Sequence, residues 1–412
     1  MARILVLTPQ LPVPPQALTG FSQGTTIRNF NLIAGLARRH ALDLLTFTPA
    51  DAGLAPDPCS LLRPYCRRVI AEPPPVRALG QRGRDTLLSH LPDMALRLDS
   101  PALHAHMARL SQEGHYDVIQ VEGIEMAPYV LPCSHPNPDR PRLVFDDHNA
   151  EYLLQKRTFL TDIRRPRRWP AAAYSFIQWR KLMGYERRIC RAADRVIAVS
   201  EADREALQRL APGLDVAVIP NGVDLDFFRP GATPAAPDLG PHALVFVGKM
   251  DYRPNVDAVL WFAEAVLPLI LAQAPTAHFY AVGQQPHARL AALAGHPAVT
   301  ITGRVPDVRP FVAAARVFVV PLRIGGGTRL KVLEAMAMGR PIVSTRLGCD
   351  GFHFEDGREV LFADEPRAFA DAVLALLRDP GRGDDLGQAG RDHVEAHYGW
   401  DAIVPRLESL YG

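Results

Sequence analysis

The chain contains little cysteine, and the cysteines it has follow no pairing pattern. Five of them are scattered over 412 residues without C-x-x-C spacing. An odd and dispersed set of this kind indicates neither a disulfide framework nor a zinc site. We therefore expect a protein of a reducing compartment, and the cytoplasm fits best.

The sequence also lacks the marks of secretion and of membrane insertion. Its first residues, MARILVLTPQLP, become strand-like after three positions and contain neither a long apolar core nor a small-residue cleavage site. No uninterrupted apolar run reaches the length of about 18 residues that a transmembrane helix needs. We expect no signal peptide and no bilayer-spanning segment, while peripheral attachment stays open.

A surplus of charge of one sign is missing as well. The chain has 46 Lys and Arg residues against 44 Asp and Glu residues, which gives a net charge of +2. A field this weak argues against non-specific binding of nucleic acid, so no nucleic-acid partner is expected. With 48% hydrophobic residues, the chain can bury the cores of two or three domains.

What the sequence does contain is a regular alternation of strand-like and helical patterns, as in α/β proteins. Two series of apolar runs are separated near Pro220-Asn221-Gly222, a turn signal followed by a stretch rich in Pro, Ala and Gly. We predict two parallel-sheet domains, 1–220 and 221–398, with the ligand in a cleft beyond the carboxyl ends of the strands. The predicted strands are 4–7, 42–47, 118–121, 143–146, 195–200 and 216–220 in the first series and 243–248, 277–283, 299–303, 316–321 and 341–345 in the second.

The most informative segment is RVFVVPLRIGGGTRLKVLEAMAMGRP at 316–341, which predicts a buried strand, a glycine turn and a short helix. Gly325, Gly326 and Gly327 let the backbone turn sharply and let a ligand approach the amides, and Thr328 can cap the helix. The free N–H groups and the positive end of the helix dipole favour an anion at this turn.

Lys331 and Glu334 share one face of this helix because they are three residues apart. A cation near the phosphates and a carboxylate one turn further on suit a nucleotide, whose diphosphate attracts positive charge and whose ribose offers two hydroxyl donors. An ordinary βα unit with a solvated Lys–Glu pair is the alternative.

Two further loops place cations or glycines at the predicted cleft. Lys249 and Arg253 follow the first strand of the second domain, where fixed cations would stabilise a departing diphosphate, although a solvated basic loop is the alternative. In the first domain a long loop with Gly20 and Gly24 precedes the helix containing Arg28, and glycines at a helix start can admit a diphosphate. A mobile loop without a ligand is the alternative there. Neither loop has the GxGxxG spacing of a nicotinamide or flavin enzyme.

His148 lies in the run Asp146-Asp147-His148-Asn149, which closes the predicted strand LVFD. Such a histidine can act as an acid or base, as a metal ligand, or as a hydrogen-bond partner of a substrate hydroxyl. A metal site needs more ligands at short spacing, and Glu151 is the only near candidate, so we expect no metal. The alternative is a histidine with a purely structural role, and we favour a residue that lines the cleft.

Residues 161–195 combine arginines with aromatic side chains. A basic and aromatic surface of this kind can lie on an anionic membrane. The helical part equally predicts a helix that packs its apolar face onto the sheet and turns its arginines outward. Both interpretations are compatible with each other.

Taken together, these segments resemble the retaining glycosyltransferases of family 4, which have the GT-B fold of two Rossmann-like domains facing across a cleft. The resemblance covers nearly the whole chain, and the order and spacing of its motifs are specific. GGGTRLKVLEAMAMG and MDYRPNVDAV are most similar to members associated with bacterial exopolysaccharide gene clusters. The matching segments are His148 in FDDHNAEY, ADRVIAVSEAD at 193–203, VIPNGVD at 218–224, VGKM, LEAMAMGRPIVS at 333–344, and Tyr398-Gly399-Trp400 at the start of a final helix, 399–412, that crosses back to the N-terminal domain.

The resemblance implies roles for individual residues. Glu334 corresponds to the carboxylate that holds the ribose hydroxyls, and Lys249 to the basic residue on the donor diphosphate. Arg253 is placed to supply a second cation. His148 corresponds to the histidine near the transferred sugar.

Arg304 and Val305 lie where the family contacts the base of the nucleotide. One position departs from the family pattern. The family usually has two glutamates eight residues apart, and the first of them would fall at Gly326. Contacts to the donor sugar must then come from other groups, such as the backbone amides of the glycine turn.

The resemblance therefore implies a metal-independent hexosyltransferase without cofactor. It would move a sugar from a nucleotide diphosphate donor to a glycan or polyisoprenoid-linked acceptor in exopolysaccharide or cell-envelope glycan synthesis. The expected location is the cytoplasm, at the inner face of the cytoplasmic membrane. Two other classes stay open: an inactive nucleotide-sugar- or glycan-binding subunit, suggested by Gly326, and another GT-B enzyme such as a sugar-nucleotide epimerase or a phosphorylase.

Overall fold

The computed structural model describes residues 1–14, 24–48, 58–113, 115–133, 140–233, 237–325 and 327–412. These residues form two compact units. Unit 1 runs to Pro220 and includes Val404–Gly412, and unit 2 contains Asn221–Ile403.

Within its described residues, unit 1 contains a seven-stranded parallel sheet in the order β3-β2-β1-β4-β5-β6-β7. The central strands are largely apolar and are buried along nearly their whole length, as expected of a parallel sheet covered by helices on both faces. The strands are β1 (Arg3–Leu7), β2 (Ala41–Phe47), β3 (Cys66–Glu72), β4 (Val118–Glu122), β5 (Arg142–Asp147), β6 (Arg195–Ala198) and β7 (Val216–Val218).

Helices connect these strands, and two of them, including the longest, form a helical hairpin between β5 and β6. The helices are α1 (Gly24–Leu36), α2 (Leu79–Leu88), α3 (Asp93–Leu96), α4 (Pro101–Glu113), α5 (Glu151–Asp162), α6 (Trp169–Ala192) and α7 (Glu201–Leu210). In the hairpin, Phe159 of α5 packs on Phe176 and Trp179 of α6.

The described part of unit 2 contains a six-stranded parallel sheet in the order β10-β9-β8-β11-β12-β13. Its strands are β8 (Ala243–Val247), β9 (His278–Val282), β10 (Val299–Ile301), β11 (Val317–Val320), β12 (Ile342–Ser344) and β13 (Leu361–Phe362). Its helices are α8 (Arg253–Trp261), α9 (Leu267–Leu271), α10 (Arg309–Ala314), α11 (Leu330–Ala337), α12 (Pro366–Arg378), α13 (Pro380–His397) and α14 (Trp400–Glu408), the last of which passes into unit 1 at Val404.

A single π-helical turn, Phe262–Val266, joins α8 to α9. The continuous helix Arg253–Leu271 is therefore long and apolar enough to cross a membrane by length and composition, but 67% of that window is buried within the protein. Such burial is typical of a core helix, and Val259 and Phe262 do contribute to the core of unit 2.

In each sheet the strand order reverses at one point, so that the strands before it are added toward one edge and the strands after it toward the other. In unit 1 the reversal lies between β1 and β4, and in unit 2 it lies between β8 and β11. Connections leave these neighbouring strands in opposite directions, which opens a crevice at their carboxyl ends. The predicted α/β class with two parallel-sheet domains is confirmed.

Candidate active site

The reversal point of unit 2 carries a lysine directly after β8. The Lys249 ammonium lies 3.3 Å from a carboxylate oxygen of Asp251, with 47% of the lysine side chain and 40% of the aspartate side chain exposed. An exposed pair of this kind contributes little to stability, so Lys249 is available to an incoming anion.

Lys331 of α11 lies on the same side of the sheet but turns its ammonium inward. Nζ donates a hydrogen bond of 3.0 Å to Oδ1 of Asn255 and lies 4.2 Å from the centre of the Phe246 ring. The Asn255 amide in turn donates to the carbonyl oxygen of Lys249 at 2.9 Å. The structure therefore brings the two predicted lysines together through one buried asparagine.

Gly248 makes this arrangement possible. A Cβ at this position would lie 2.7 Å from Nδ2 of Asn255 and 2.9 Å from Nζ of Lys331, closer than real Cβ contacts allow. The close approach of backbone and lysine therefore requires a residue without a side chain.

Burial sets the protonation of the two predicted groups on α11. Burial, aided by the nearby charge of Arg329, lowers the pKa of Lys331 to about 7. Burial also raises the pKa of Glu334 to about 7, against the opposing charge of Lys331. Both groups therefore titrate near neutrality, and an anion bound at the turn would favour the charged form of Lys331.

The glycine turn follows β11, and in its described part Gly325 is exposed and Gly327 is half-buried. Gly325 has a φ of 117° and Gly327 a φ of 77°, values that favour glycine, while Gly326 lies outside the described residues. A Cβ at Gly325 would lie 3.1 Å from Nη2 of Arg329 and 3.3 Å from Cγ of Pro254. The turn thus packs against the start of α8, which also carries the exposed Arg253.

The predicted capping role of Thr328 is wrong. Helix α11 begins at Leu330, its N-cap is Arg329, and no side chain caps it. Thr328 Oγ1 instead accepts a hydrogen bond of 2.6 Å from the amide of Asn221. The pattern fails because the backbone extends two residues beyond the glycines before it becomes helical. The first N–H groups of α11 thus lack a side-chain cap, as an anion site requires.

Arg304 and Val305 lie in the loop after β10, beyond Gly303 with its φ of 68°. Arg304 is exposed, and Val305 packs partly against the core of unit 2. Because β8 and β10 run parallel within one sheet, this loop lies at the same edge as Lys249.

In unit 1, His148 follows β5 and is held by a carboxylate. Its Nε2 lies 2.8 Å from Oε2 of Glu122, the last residue of β4, and 13% of the histidine side chain is exposed. The other oxygen of Glu122 accepts a hydrogen bond of 2.8 Å from the amide of Gln120.

Beside this pair, Arg28 of α1 forms a buried salt bridge with Asp146 at the end of β5. Nη2 lies 2.7 Å and Nε 3.2 Å from the same carboxylate oxygen. The guanidinium also donates to the carbonyl oxygens of Ile219 and Pro220 at 3.0 and 2.9 Å. The pair joins α1 to the strand that carries His148.

Among the described residues, Glu122, Asp146 and His148 are the group whose ligand atoms come within 4.8 Å of one another. In this structure Asp146 is paired with Arg28, and His148 with Glu122.

A second set of buried carboxyl groups lies beside His148 around the start of α5. Glu186 accepts hydrogen bonds from the backbone N–H groups of Glu151 and Tyr152 at 2.8 and 2.9 Å. Burial raises the pKa of Glu186 and of Glu151 to about 7. Glu186 therefore satisfies the first two N–H groups of α5 from outside that helix.

Of the remaining predicted residues, Gly24 is the exposed first residue of α1. Most of the loop before it, including Gly20, lies outside the described residues. Sequence reasoning missed Glu122 and Asn255 as partners of the site. Their signals are weak: Glu122 is a lone carboxylate at the end of an apolar strand, and Asn255 lies in the first turn of a helix after the basic loop.

Two family models match the chain. Residues 23–227 match the model described as Glycosyltransferase Family 4, and residues 241–379 match the model described as Glycosyl transferases group 1. The first match covers most of unit 1 and the first residues of unit 2, and the second match lies within unit 2.

The curated relatives match parts of the chain. D-inositol 3-phosphate glycosyltransferase 2 of Catenulispora acidiphila is 30% identical over 253 residues, which are 56% of this chain and 58% of that protein. The GDP-mannose-dependent alpha-(1-6)-phosphatidylinositol monomannoside mannosyltransferase of Mycobacterium tuberculosis is 29% identical over 243 residues, 54% of this chain and 62% of that protein. The chain thus spans less than two thirds of the length of these relatives.

A solved structure resembles the entire chain. Sucrose-phosphate synthase from Thermosynechococcus elongatus aligns with a TM-score of 0.71 at 20% identity, covering 100% of this chain and 98% of that one. At this identity the likeness shows the fold, and the predicted GT-B fold is confirmed.

Proposed function

The chain consists of glycosyltransferase domains in the GT-B fold, and from this premise we propose that it transfers a sugar from a nucleotide diphosphate donor to a glycan or lipid-linked acceptor, with retention at the anomeric carbon. The observation that carries the proposal is the cluster of Lys249, Asn255 and Lys331 beside the uncapped start of α11.

This cluster suits a diphosphate because it combines two amines with free backbone N–H groups at a helix start. Cleavage of the bond to the sugar places negative charge on the departing nucleoside diphosphate. Lys249, Lys331 and the helix amides would stabilise that charge more strongly than the ground state, with Arg253 as a further cation. Glu334 would accept hydrogen bonds from the ribose hydroxyls.

The scheme requires neither a metal nor a cofactor from the protein. A phosphate oxygen of the donor would take the proton of the acceptor hydroxyl on the same face of the sugar, so no protein base is needed. His148 would contact the transferred sugar, and Arg304 and Val305 the base. Backbone amides at Gly325, Gly326 and Gly327 would replace the sugar contacts of the family's missing glutamate.

The acceptor class is proposed from the relatives and the motifs. One relative acts by its name on a phosphatidylinositol mannoside, a lipid-linked glycan. Together with the motifs similar to exopolysaccharide-associated members, this supports a role in exopolysaccharide or cell-envelope glycan synthesis. The acceptor we propose is a glycan or a polyisoprenoid-linked glycan.

A membrane-facing surface at the α5–α6 hairpin would serve such an acceptor. The segment between the two helices is exposed and bears Arg164, Arg165, Arg167 and Arg168, next to Trp169 with 60% of its surface exposed. Arginines around exposed aromatic rings complement an anionic lipid surface. We therefore place the enzyme in the cytoplasm, in peripheral contact with the inner face of the cytoplasmic membrane through residues 161–195.

A thermal-shift screen with UDP, GDP and other nucleoside diphosphates tests the donor site directly. A ligand at 100 times its dissociation constant stabilises the folded protein by about 2.7 kcal/mol, so the bound base is identified by the larger shift. If none of these nucleotides raises the unfolding temperature, the proposal is wrong.

Two further experiments separate the alternatives. Single-turnover assays with sugar nucleotides distinguish an enzyme from an inactive binding subunit, which would bind donor and release no nucleoside diphosphate. Product analysis distinguishes transfer, which yields nucleoside diphosphate and a new glycoside, from epimerisation or phosphorolysis.

A further inference from the structure

Four side chains at the carboxyl ends of β4 and β5 form a balanced set of charges. Glu122 and Asp146 are register partners on the two strands, and each of their side chains is at most 2% exposed. Two buried carboxylates require two cations or two protons. Arg28 supplies one cation, and the side chain in contact with the second carboxylate is His148.

Glu122 is arranged to remain ionised. Oε1 accepts from the Gln120 amide at 2.8 Å, and Oε2 lies 2.8 Å from Nε2 of His148. A carboxylate that accepts on both oxygens favours its charged form. On the far side, the Tyr411 hydroxyl donates to Oε1 of Gln120 at 3.3 Å, which fixes the amide with its NH₂ group toward Glu122.

The other nitrogen of the ring faces Gly123. A Cβ on that glycine would lie 3.6 Å from Nδ1 of His148 and 3.0 Å from Oε2 of Glu125, and its φ of 85° favours glycine. Among the described residues, Nδ1 has no hydrogen-bond partner. Nε2 of the ring is therefore held by Glu122, while Nδ1 is left for a further hydrogen bond on the Gly123 side.

We propose that Glu122 is a positioning residue that holds His148 as an imidazolium at neutral pH, so that Nδ1–H is a charged hydrogen-bond donor to a sugar hydroxyl or a developing anion. The inference rests on the proposed function, because it assigns the open nitrogen to the substrate of the same site. It also gives His148 a specific role: an imidazolium donates a hydrogen bond and cannot take the proton of the acceptor.

The charged groups around the ring agree with this state. Burial opposes protonation, but the hydrogen bond to Glu122 and the charge of Asp146 raise the pKa of His148, against the repulsion of Arg28. His148 and Arg28 together lower the pKa of Glu122 despite its burial. On the Gly123 side, the charged group near the ring is Glu125, which is itself paired with Arg97.

The sign of the resulting pH dependence follows from the raised pKa. The contribution of the pair to stability is complete below the ordinary pKa of histidine and is lost as the pH rises through the folded value. Activity that needs the imidazolium declines over the same upper range.

Nitrogen NMR of ¹⁵N-histidine-labelled protein tests the protonation state without an assay of turnover. His148→Asn identifies the His148 signals, and both ring nitrogens should carry protons at pH 7 in the unmodified protein. In Glu122→Gln the titration of His148 should move down by at least about one pH unit. Glu72→Gln is the matched control, because Glu72 holds His106 at 2.8 Å in the same unit and should leave His148 unchanged.

Kinetics supplies the second readout. Glu122→Gln should lower kcat by about tenfold or more and shift the upper limb of the pH profile to lower pH, with the donor KM nearly unchanged. A purely structural role would lower the unfolding temperature and leave that limb in place. A neutral His148 at pH 7 in the unmodified protein overturns the inference, even if the variant does not fold. Loss of donor binding overturns the proposed function instead and leaves the NMR result intact.

Discussion

The two lysines of the cluster around Asn255 occupy contrasting environments. Lys249 is half exposed beside Asp251, whereas the amine of Lys331 lies against Asn255 and the Phe246 ring. In the proposed function both amines stabilise the diphosphate, Lys249 from an exposed position and Lys331 from a buried position beside Asn255. Substitutions at the two positions should therefore have separable effects.

Lys249→Ala should lower turnover by about 10²-fold or more, because one preorganised charge contact to the leaving group is lost. Its unfolding temperature should barely change, since the exposed pair with Asp251 contributes little. Steady-state kinetics and a thermal melt measure both quantities. Lys249→Arg keeps the charge and is the matched control, and near-normal transfer by Lys249→Ala would remove the assigned role.

Lys331→Met should change how stability depends on pH. The folded pKa of Lys331 is about 7, below its ordinary value of about 10.5. Between those values the unfolded chain binds more protons, so this lysine makes the protein more stable as pH rises from 7 to 10. Thermal melts across that range should show a smaller rise in the variant. An unchanged slope would mean that the amine is not desolvated.

At the scale of the element, the glycine turn before α11 depends on backbone geometry. Gly325→Ala should cost about 1 to 3 kcal/mol, because φ is 117° and the new Cβ would crowd Arg329 and Pro254. Donor affinity should fall as the turn shifts. Gly295→Ala is the control, since a Cβ there meets nothing within 4 Å. Denaturant unfolding and nucleotide titration check both expectations, and equal stability of the two variants would contradict the first.

The tip of the α5–α6 hairpin should bind anionic vesicles. Arg164→Glu with Arg167→Glu should reduce co-sedimentation with phosphatidylglycerol vesicles by about tenfold or more, since each basic residue near such a surface contributes about 1 kcal/mol. Arg358→Glu with Arg367→Glu is the matched control on exposed arginines of unit 2. Binding that survives the hairpin change, or binding insensitive to salt, would exclude this surface as the contact.

The elements show where sequence reasoning succeeds. Long apolar runs such as β8 and β11 are predicted correctly because a strand buried on both faces needs an uninterrupted apolar sequence. The pattern misses β3, an edge strand whose arginines interrupt the run, and β13, which has only two residues. It also predicts a cap at Thr328, because local spacing does not reveal the contact with Asn221.

The candidate site shows the same difference between features that are local in sequence and contacts that the fold creates. Lys249, Lys331 and Glu334 can be proposed from the sequence because glycines and charges follow strands at short spacing, and their roles stay a prediction. Glu122 cannot be identified in this way, because it lies 26 residues before His148 in the sequence and approaches it only through the pairing of β4 with β5. Partners supplied by sheet pairing leave no local pattern.

At the scale of the whole molecule, unit 1 is assembled from two distant parts of the sequence. Val404 packs so tightly on Gly35 that a Cβ there would lie 2.4 Å from Cγ2 of the valine. Leu407 is fully buried, and Arg406 donates to the carbonyl oxygen of Val218 at 3.1 Å. The segment Val404–Gly412 is therefore part of the packing of unit 1.

Deleting residues 404–412 should destabilise unit 1 by several kcal/mol, because burying Val404 and Leu407 contributes about 1.5 to 3 kcal/mol each. Hydrogen exchange should accelerate in α1 and leave α8 nearly unchanged. A substitution of the exposed Arg382 is a control that alters the sequence without disturbing this packing. Equal protection of α1 with and without the segment would show that the packing contributes nothing.

Because unit 1 is built from two distant segments of the chain, its packing is completed late in synthesis. A ribosome adds about 5 to 20 residues per second, so the 183 residues of Asn221–Ile403 take roughly 10 to 40 s to emerge. Throughout that interval unit 1 lacks the segment Val404–Gly412, and the face of α1 around Gly35 stays uncovered. Chaperone occupancy on nascent chains should consequently persist until residues 404–412 have emerged from the ribosome.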